Sequence, residues 1–406
     1  MSKAICPSPR WLSIVGIGED GIDGLSPVAR QLVGDAELVL GGKRHLALAD
    51  KLIRGRRLSW PSPIGDVLPE IEKHRGRPVT VLASGDPFHY GVGDMLMRAI
   101  GPEEMLCLPQ ASSFSLAASR LGWSLQDVSL VSLHGRALEG LVRWLQPGAR
   151  ILALSWDAGT PAKVAGLLAE RGMENTTLTV LEALGGPNEK IHRDVAAAGA
   201  LNIIALEVAA GPAATVIGLA PGLDDALFEH DGQLTKREVR AVTLSALAPR
   251  QGELLWDIGL GAGSVAIEWL LRHPSLRAIG IEEGAERAAR AGRNAASLGT
   301  PDLRIVPGRA PDALAGLPAP DAVFVGGGLS DDGVFDAAWA ALKSGGRLVA
   351  NAVSLASEAK LIGLFQRHGG ELTRLEISRS GKAGTSGRVF VWRPAAPIIQ
   401  WRVTKP

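Results

Sequence analysis

The chain has 406 residues, 46% of them hydrophobic and 21% charged, with a formal net charge of +1. That length exceeds one ordinary core, so two or three domains are expected, and the balanced charge argues against nucleic acid or an anionic membrane as a partner. With only Cys6 and Cys107, no apolar leader and no run near membrane length, the expectation is a cytoplasmic protein without disulfide framework or metal site.

In chain order, Trp11 to Val15 reads as a strand entering a glycine turn, Gly16-Ile17-Gly18-Glu19-Asp20-Gly21. Ser26-Pro27 reads as a helix cap with proline at the first helical position. Ala36 to Leu40 is a further short strand, and Pro78 to Ala83 has the pattern of a buried one. The latter delivers Ser84-Gly85-Asp86-Pro87 and the only tyrosine, Tyr90, onto a helix from Val92 to Ile100. A carboxylate and backbone amides then meet at one sheet edge, where open α/β folds bind ligands. Ser112-Ser113 leads into a short helix, a strand reaches Leu133-His134, and Arg150 to Ser155 is another strand. Thr160-Pro161 opens a helix, and Leu178 to Leu181 and Asn202 to Val208 are late strands.

The segments VGIGEDG, SGDPFHYG, ASSFSLAASRLGW and TPA resemble, in order and spacing, the tetrapyrrole (corrin/porphyrin) methylase superfamily. The resemblance implies two α/β subdomains with S-adenosylmethionine (SAM) held between them. It puts Gly16 and Gly18 on a loop facing substrate, and Gly85, Asp86, Tyr90 and Ser113 on the cofactor side. Many members carry GxGPG in the first loop, whereas this chain has Gly18-Glu19-Asp20-Gly21.

Ala209 to Leu223 is small and punctuated by glycine and proline, which divides the chain into domains 1–215 and 216–406. Thr235 followed by Glu238 fits a capping box for a helix running through Leu247. An apolar strand, Leu254 to Ile258, then ends in Gly259-Leu260-Gly261-Ala262-Gly263, and a helix starts at Ser264. Glycines allow positive φ and close backbone approach, and the helix start offers unpaired N–H groups. About twenty residues on, the strand Ile279 to Ile281 ends at Glu282, an acid able to accept both ribose hydroxyls of an adenosine group. The helix Gly284 to Leu298 alternates arginine and alanine and reads as a solvated face. Strand Leu303 to Val306 leads to Arg309 and Ala310, and strand Asp321 to Val325 ends in Gly326-Gly327-Gly328, a wide floor for a large flat substrate. Helices Phe335 to Leu342 and Glu358 to His368, with paired strands near Leu372 to Ser378 and Arg388 to Trp392, complete the order. This half has no (D/N)PP(Y/F/W) clamp and no cysteine, which disfavours methylation of nucleic-acid bases.

The tight GxGxG turn resembles motif I of the class I SAM methyltransferases. That likeness places Gly259, Leu260, Gly261, Ala262, Gly263 and Glu282 at the cofactor, Ala310 against its adenine, and Thr235 near its methionine end. Together FEHDGQLTKREVRAVTLSAL, DIGLGAGSVAIEW, GRAPDAL, VGGG and SGGRLVANAV resemble the decarboxylating methyltransferases of cobalamin synthesis. The implied fold is α/β, a tetrapyrrole-methylase domain followed by a class I Rossmann-like domain, with one SAM site in each. The implied activity is methylation of a precorrin at ring carbons 5 (first half) and 15 (second half), with decarboxylation of the carbon-12 acetate. The alternatives are another tetrapyrrole or small-molecule methyltransferase and a SAM-binding scaffold with an inactive half. A polycarboxylate substrate calls for basic side chains: Arg309, Arg388 and Lys382 in the second half, Lys43, Arg44 and Arg136 in the first, with Gly327 on the floor. No acid or base is assigned, and a homo-oligomer is expected from the resemblance.

Overall fold

The computed structural model describes residues 10–383 and 389–406, so Arg388 lies outside the described residues. The chain forms two compact units, one of residues 1–138 with 146–215 and the other of 139–145 with 216–406.

The first unit holds two five-stranded sheets. One is parallel throughout, in the order Arg56–Ser59, Leu38–Gly41, Val79–Ser84, Leu12–Ile17, Met105–Leu108. Its interior strand LSIVGI, Leu12–Ile17, is buried at every position, as an apolar run covered on both faces must be. The Ser26 hydroxyl accepts from the Ala29 amide at 3.2 Å and Pro27 takes the first helical position, so the helix Pro27–Asp35 starts where its cap dictates. The other sheet runs Val128–Ser132, Arg150–Leu154, Asn202–Glu207, Thr177–Glu182, Lys190–His192, parallel in its first pair and antiparallel after it. Arg56–Ser59 and Lys190–His192 are short, polar edge strands, which is why periodicity does not reveal them.

The second unit is built on a seven-stranded sheet. Its order is Arg304–Pro307, Arg277–Glu282, Leu254–Ile258, Ala322–Val325, Arg347–Ala352, Ile398–Thr404, Glu371–Leu375. The first five strands pair in parallel and the last two join antiparallel. Trp256, Phe335 and Trp401 anchor its core. The chain proceeds first to one side of Leu254–Ile258 and then to the other, a switch point that opens a crevice at the strands' carboxyl ends. No helix among the described residues is long and apolar enough to cross a membrane.

Two expectations need correction here. The C-terminal strands do not pair as one hairpin: Glu371–Leu375 joins Ile398–Thr404 in the main sheet, while Ser378–Ala383 and Val389–Pro394 form a separate ribbon. The cause is the strand Ile398–Thr404, whose Gln400, Trp401 and Val403 are buried and which inserts beside Arg347–Ala352. Nor does Thr235 cap its helix. The helix Arg237–Leu247 has Lys236 at its N-cap and no side-chain cap bond, and Arg240 Nη1 donates to the Thr235 carbonyl instead.

Arg240 is wholly buried and also donates to Glu268, Asp225 and the Leu223 carbonyl, while Glu268 accepts from the amides of Gly222 and Leu223. This one guanidinium fastens the segment entering the unit to two helices. Removing one partner of a buried pair strands the other charge, at a cost of about 3–5 kcal/mol. Arg240→Met should lower the stability of the second unit by that amount in denaturant unfolding, leaving the transition of the first unit in place.

Candidate functional site

In the second unit the glycine turn, the Glu282 strand end and the triple glycine enclose a cavity of about 860 Å³. Thr235, Gly259, Leu260, Gly261, Ala262, Glu282, Arg309, Ala310 and Gly327 all line it, whereas Gly263 and Lys382 do not. The amides of Gly259 and Leu260 donate to the Ile281 carbonyl at 3.1 and 3.0 Å, which fixes the turn over the neighbouring strand. The Gly261 amide donates to Glu282 Oε2 at 2.8 Å, and the Gly284 amide to Oε1 at 3.0 Å. Each oxygen of a carboxylate keeps a further lone pair, so Glu282 is held and still able to accept a diol. Gly263 serves packing instead: its φ is +79°, and a Cβ there would lie 3.2 Å from the Ala291 methyl.

A Cβ on Gly259 would lie 2.8 Å from the Gly327 nitrogen, and one on Gly326 would lie 2.8 Å from the Phe324 ring. The triple glycine thus lets two loops touch backbone to backbone at the switch point, a tighter role than a wide floor. Arg309 donates from Nε and Nη2 to Asp331 Oδ2 at 3.1 and 2.7 Å, so this exposed cation is already paired. Asp331 also lines the cavity.

Two further lining residues escaped the sequence reading. Asp257, 2% exposed, accepts from the Ala266 amide through Oδ2, while its Oδ1 is buried with no partner among the described residues. Burial and the charge of Glu282, against the Ala266 amide, push its carboxyl up to about 8. An acid inside the apolar run LLWDI, two residues before a glycine turn, was the available signal. Asn351 is fixed by Thr243 Oγ1 at 2.9 Å and by Gln400 Nε2 at 3.0 Å.

The arginine-rich helix Ala285–Ser297 is not a merely solvated face. Arg287 and Arg290 pair with Asp231, and Arg293 pairs with Glu229. Asn294 Nδ2 donates to the Glu229 and Ala262 carbonyls. The helix thereby pins residues 229–233, of which Gly232 and Gln233 form one wall of the cavity.

In the first unit the expected residues gather at the carboxyl edge of the parallel sheet. Gly16 is buried, and a Cβ there would lie 2.0 Å from the Gly85 carbonyl and 2.6 Å from the Gln110 nitrogen, so its bareness brings three segments together. A Cβ on Gly18 would meet only the Asp20 side chain, at 2.7 Å. Gly85 has φ +50°, with the Ala111 carbonyl 2.9 Å from where its Cβ would be. Asp86 Oδ1 accepts from the Phe88 amide at 2.9 Å, and Ser113 opens the helix Ser113–Leu121 behind its cap, Ser112. Tyr90, at φ +58°, is half exposed; its hydroxyl donates to the Leu130 carbonyl at 3.2 Å and the Arg136 guanidinium sits 5.4 Å from its ring centroid. Arg44 pairs with Glu19 and donates to Ser84 Oγ, which also meets His45 Nε2 at 2.8 Å. Burial and the charge of Arg44 push His45 down to about 4, so it is neutral at pH 7. Lys43 is exposed at the first position of the helix Lys43–Leu48, and His134 lies 6.3 Å from the Trp156 ring.

Residues 12–198 match the tetrapyrrole (corrin/porphyrin) methylases, and residues 226–405 match the precorrin methyltransferase domain. A Sinorhizobium protein named precorrin-6Y C(5,15)-methyltransferase (decarboxylating) is 55% identical over 401 residues, covering 97% of this chain and 96% of that one. Two half-length relatives also match. A cobalt-precorrin-7 C(5)-methyltransferase of Salmonella typhimurium is 33% identical over 184 residues, 45% of this chain and 89% of its own. A Pyrobaculum calidifontis protein, named probable cobalt-precorrin-6B C(15)-methyltransferase (decarboxylating), is 36% identical over 171 residues, 40% of this chain and 87% of its own.

The state of Asp257 sets a pH dependence. Its carboxyl ionises near 3.8 when unfolded and only near 8 when folded. Its contribution is intact below pH 4 and is lost as the pH rises through 8, with a slope approaching about 1.4 kcal/mol per pH unit. Asp257→Asn should remove that slope, so urea unfolding of the second unit at pH 5 and pH 7 should show the variant gaining on the wild type. Parallel pH profiles would contradict this assignment.

Proposed function

The chain belongs to the family of precorrin-6Y C(5,15)-methyltransferases (decarboxylating), enzymes of cobalamin biosynthesis that use SAM, and from that membership we propose a division of labour between its two units. The first unit methylates carbon 5 of the precorrin, and the second methylates carbon 15 and removes the carboxyl of the carbon-12 acetate. Each unit holds its own SAM. The observation that carries this reading is that each unit has its own glycine-lined edge at the carboxyl ends of parallel strands. The separate family matches and the two half-length relatives support it.

The cavity of the second unit fits the cofactor by chemistry. Glu282 would accept the ribose hydroxyls, and Ala310 leaves room for adenine. When bound, SAM supplies an electrophilic methyl group. The chain contributes positioning and exclusion of water, because a meso carbon of a reduced tetrapyrrole is already an enamine-like nucleophile. Gly259 and Gly327 let the two loops beside the cofactor residues meet backbone to backbone. For decarboxylation, the electron pair of the breaking carbon–carboxyl bond passes to the adjoining protonated pyrrolenine, and the methylene left behind takes up a proton.

Product mass on incubation with SAM and the precorrin tests this. The wild type should add two methyl groups and lose carbon dioxide. Gly85→Val, which drives a side chain into the Ala111 carbonyl, should slow the carbon-5 step by about 100-fold, leaving one methyl gain with carbon dioxide loss. Glu282→Ala should slow the carbon-15 step while the first unit stays competent. Two methyl gains at the wild-type rate in both variants would refute the division.

A further inference from the structure

The cavity of the second unit extends past the cofactor residues to a wall that neither the family matches nor the glycine motifs assign. Val353, Leu375, Ile377 and Ile398 supply its apolar part. The ribbon Ser378–Ala383 with Val389–Pro394 supplies the rest, and its register sets Arg379 directly opposite Arg393. Successive side chains of a strand point to opposite faces, so these arginines share one face while Lys382 belongs to the other with its partner Phe390. Both arginines line the cavity, which explains why Lys382 does not.

Like charges directly opposite on paired strands are destabilising. Nothing in folding the ribbon calls for such a pair. Arg393 lies across Gly381, where a Cβ would be 3.0 Å from its Cδ and Nε, and its Nη2 donates to the Lys382 carbonyl at 2.5 Å. Arg379 is paired with Glu238, a lining residue on the helix Arg237–Leu247. The two side chains are 52% and 43% exposed, and an ion pair so solvated contributes at most about 1 kcal/mol. Lys236, one residue before that helix, also lines the wall, so three cations there face one carboxylate. A guanidinium presents a planar fork matched to a carboxylate.

We propose that Arg379 and Arg393 form a clamp for carboxylate side chains of the flat macrocycle, with Glu238 occupying Arg379 until a substrate carboxylate displaces it. The inference rests on the functional reading above and assigns its polyacid substrate a docking wall. The apolar residues beside the clamp cover the ring face, and the exchange of Glu238 for a substrate acid keeps Arg379 paired throughout.

The test uses full-length Arg379→Met, Arg393→Met and Glu238→Gln, following carbon dioxide release at saturating SAM, with SAM affinity measured by equilibrium dialysis. Each arginine variant should raise the KM for the precorrin by about tenfold to a hundredfold, the worth of a charged hydrogen bond, with SAM affinity unchanged. Glu238→Gln should lower that KM, because it removes the competing acid. If Glu238→Gln instead raises KM together with Arg379→Met, the pair only supports the ribbon and the clamp is overturned. Normal wild-type turnover with unchanged KM in all three variants overturns the clamp alone. Absence of carbon dioxide release from the wild type would overturn the functional reading and the clamp with it.

Discussion

At the switch point of the seven-stranded sheet two loops meet with no side chain between them. The turn after Leu254–Ile258 and the turn after Ala322–Val325 approach so closely that a Cβ on Gly259 would lie 2.8 Å from the Gly327 nitrogen. A left-handed backbone at Gly259, φ +74°, is compatible with that approach and strained for any other residue. The Gly261 amide can then reach Glu282 on the adjacent strand, and Asp257 is sealed beneath the turn. The cavity, its buried acid and its anchored carboxylate all follow from this contact.

Charge in the second unit is arranged in layers of decreasing burial. Arg240 and Glu268 are wholly buried and hold the entry segment to the fold. Arg287 and Arg290 lie further out and, with the exposed Arg293, hold residues 229–233 against the cavity. Arg379 and Arg393 are exposed, and only Arg379 has a carboxylate partner among the described residues. The inner pairs serve structure because leaving either member unpaired would be costly. The outer ones gain little from each other, which leaves them available to an anionic ligand.

Much of the fold was legible because buried parallel strands are continuous apolar runs and glycine turns punctuate them. Leu254–Ile258 and Val79–Ser84 were readable in this way, as was the Ser26-Pro27 helix start. What was not legible depends on partners distant in sequence. Thr235 looked like a cap by spacing, yet Arg240 claims its carbonyl and the helix begins at Arg237. The arginines of Ala285–Ser297 looked solvated because Glu229 and Asp231, far upstream, cannot be paired with them by eye. The ribbon was mispaired because Ile398–Thr404, which takes up Glu371–Leu375, went unread. At the site, glycines and Glu282 were readable by motif, whereas Asp331, Asn351, Arg379 and Arg393 are brought to the cavity by loops and register alone.

On the proposed function, one chain carries two independent SAM sites serving one substrate. Equilibrium dialysis of the full-length protein with labelled SAM measures it most directly. Two molecules should bind per chain in the wild type, and one in Gly85→Val and in Glu282→Ala. A single molecule bound per wild-type chain, or a loss of all binding in either variant, would contradict it.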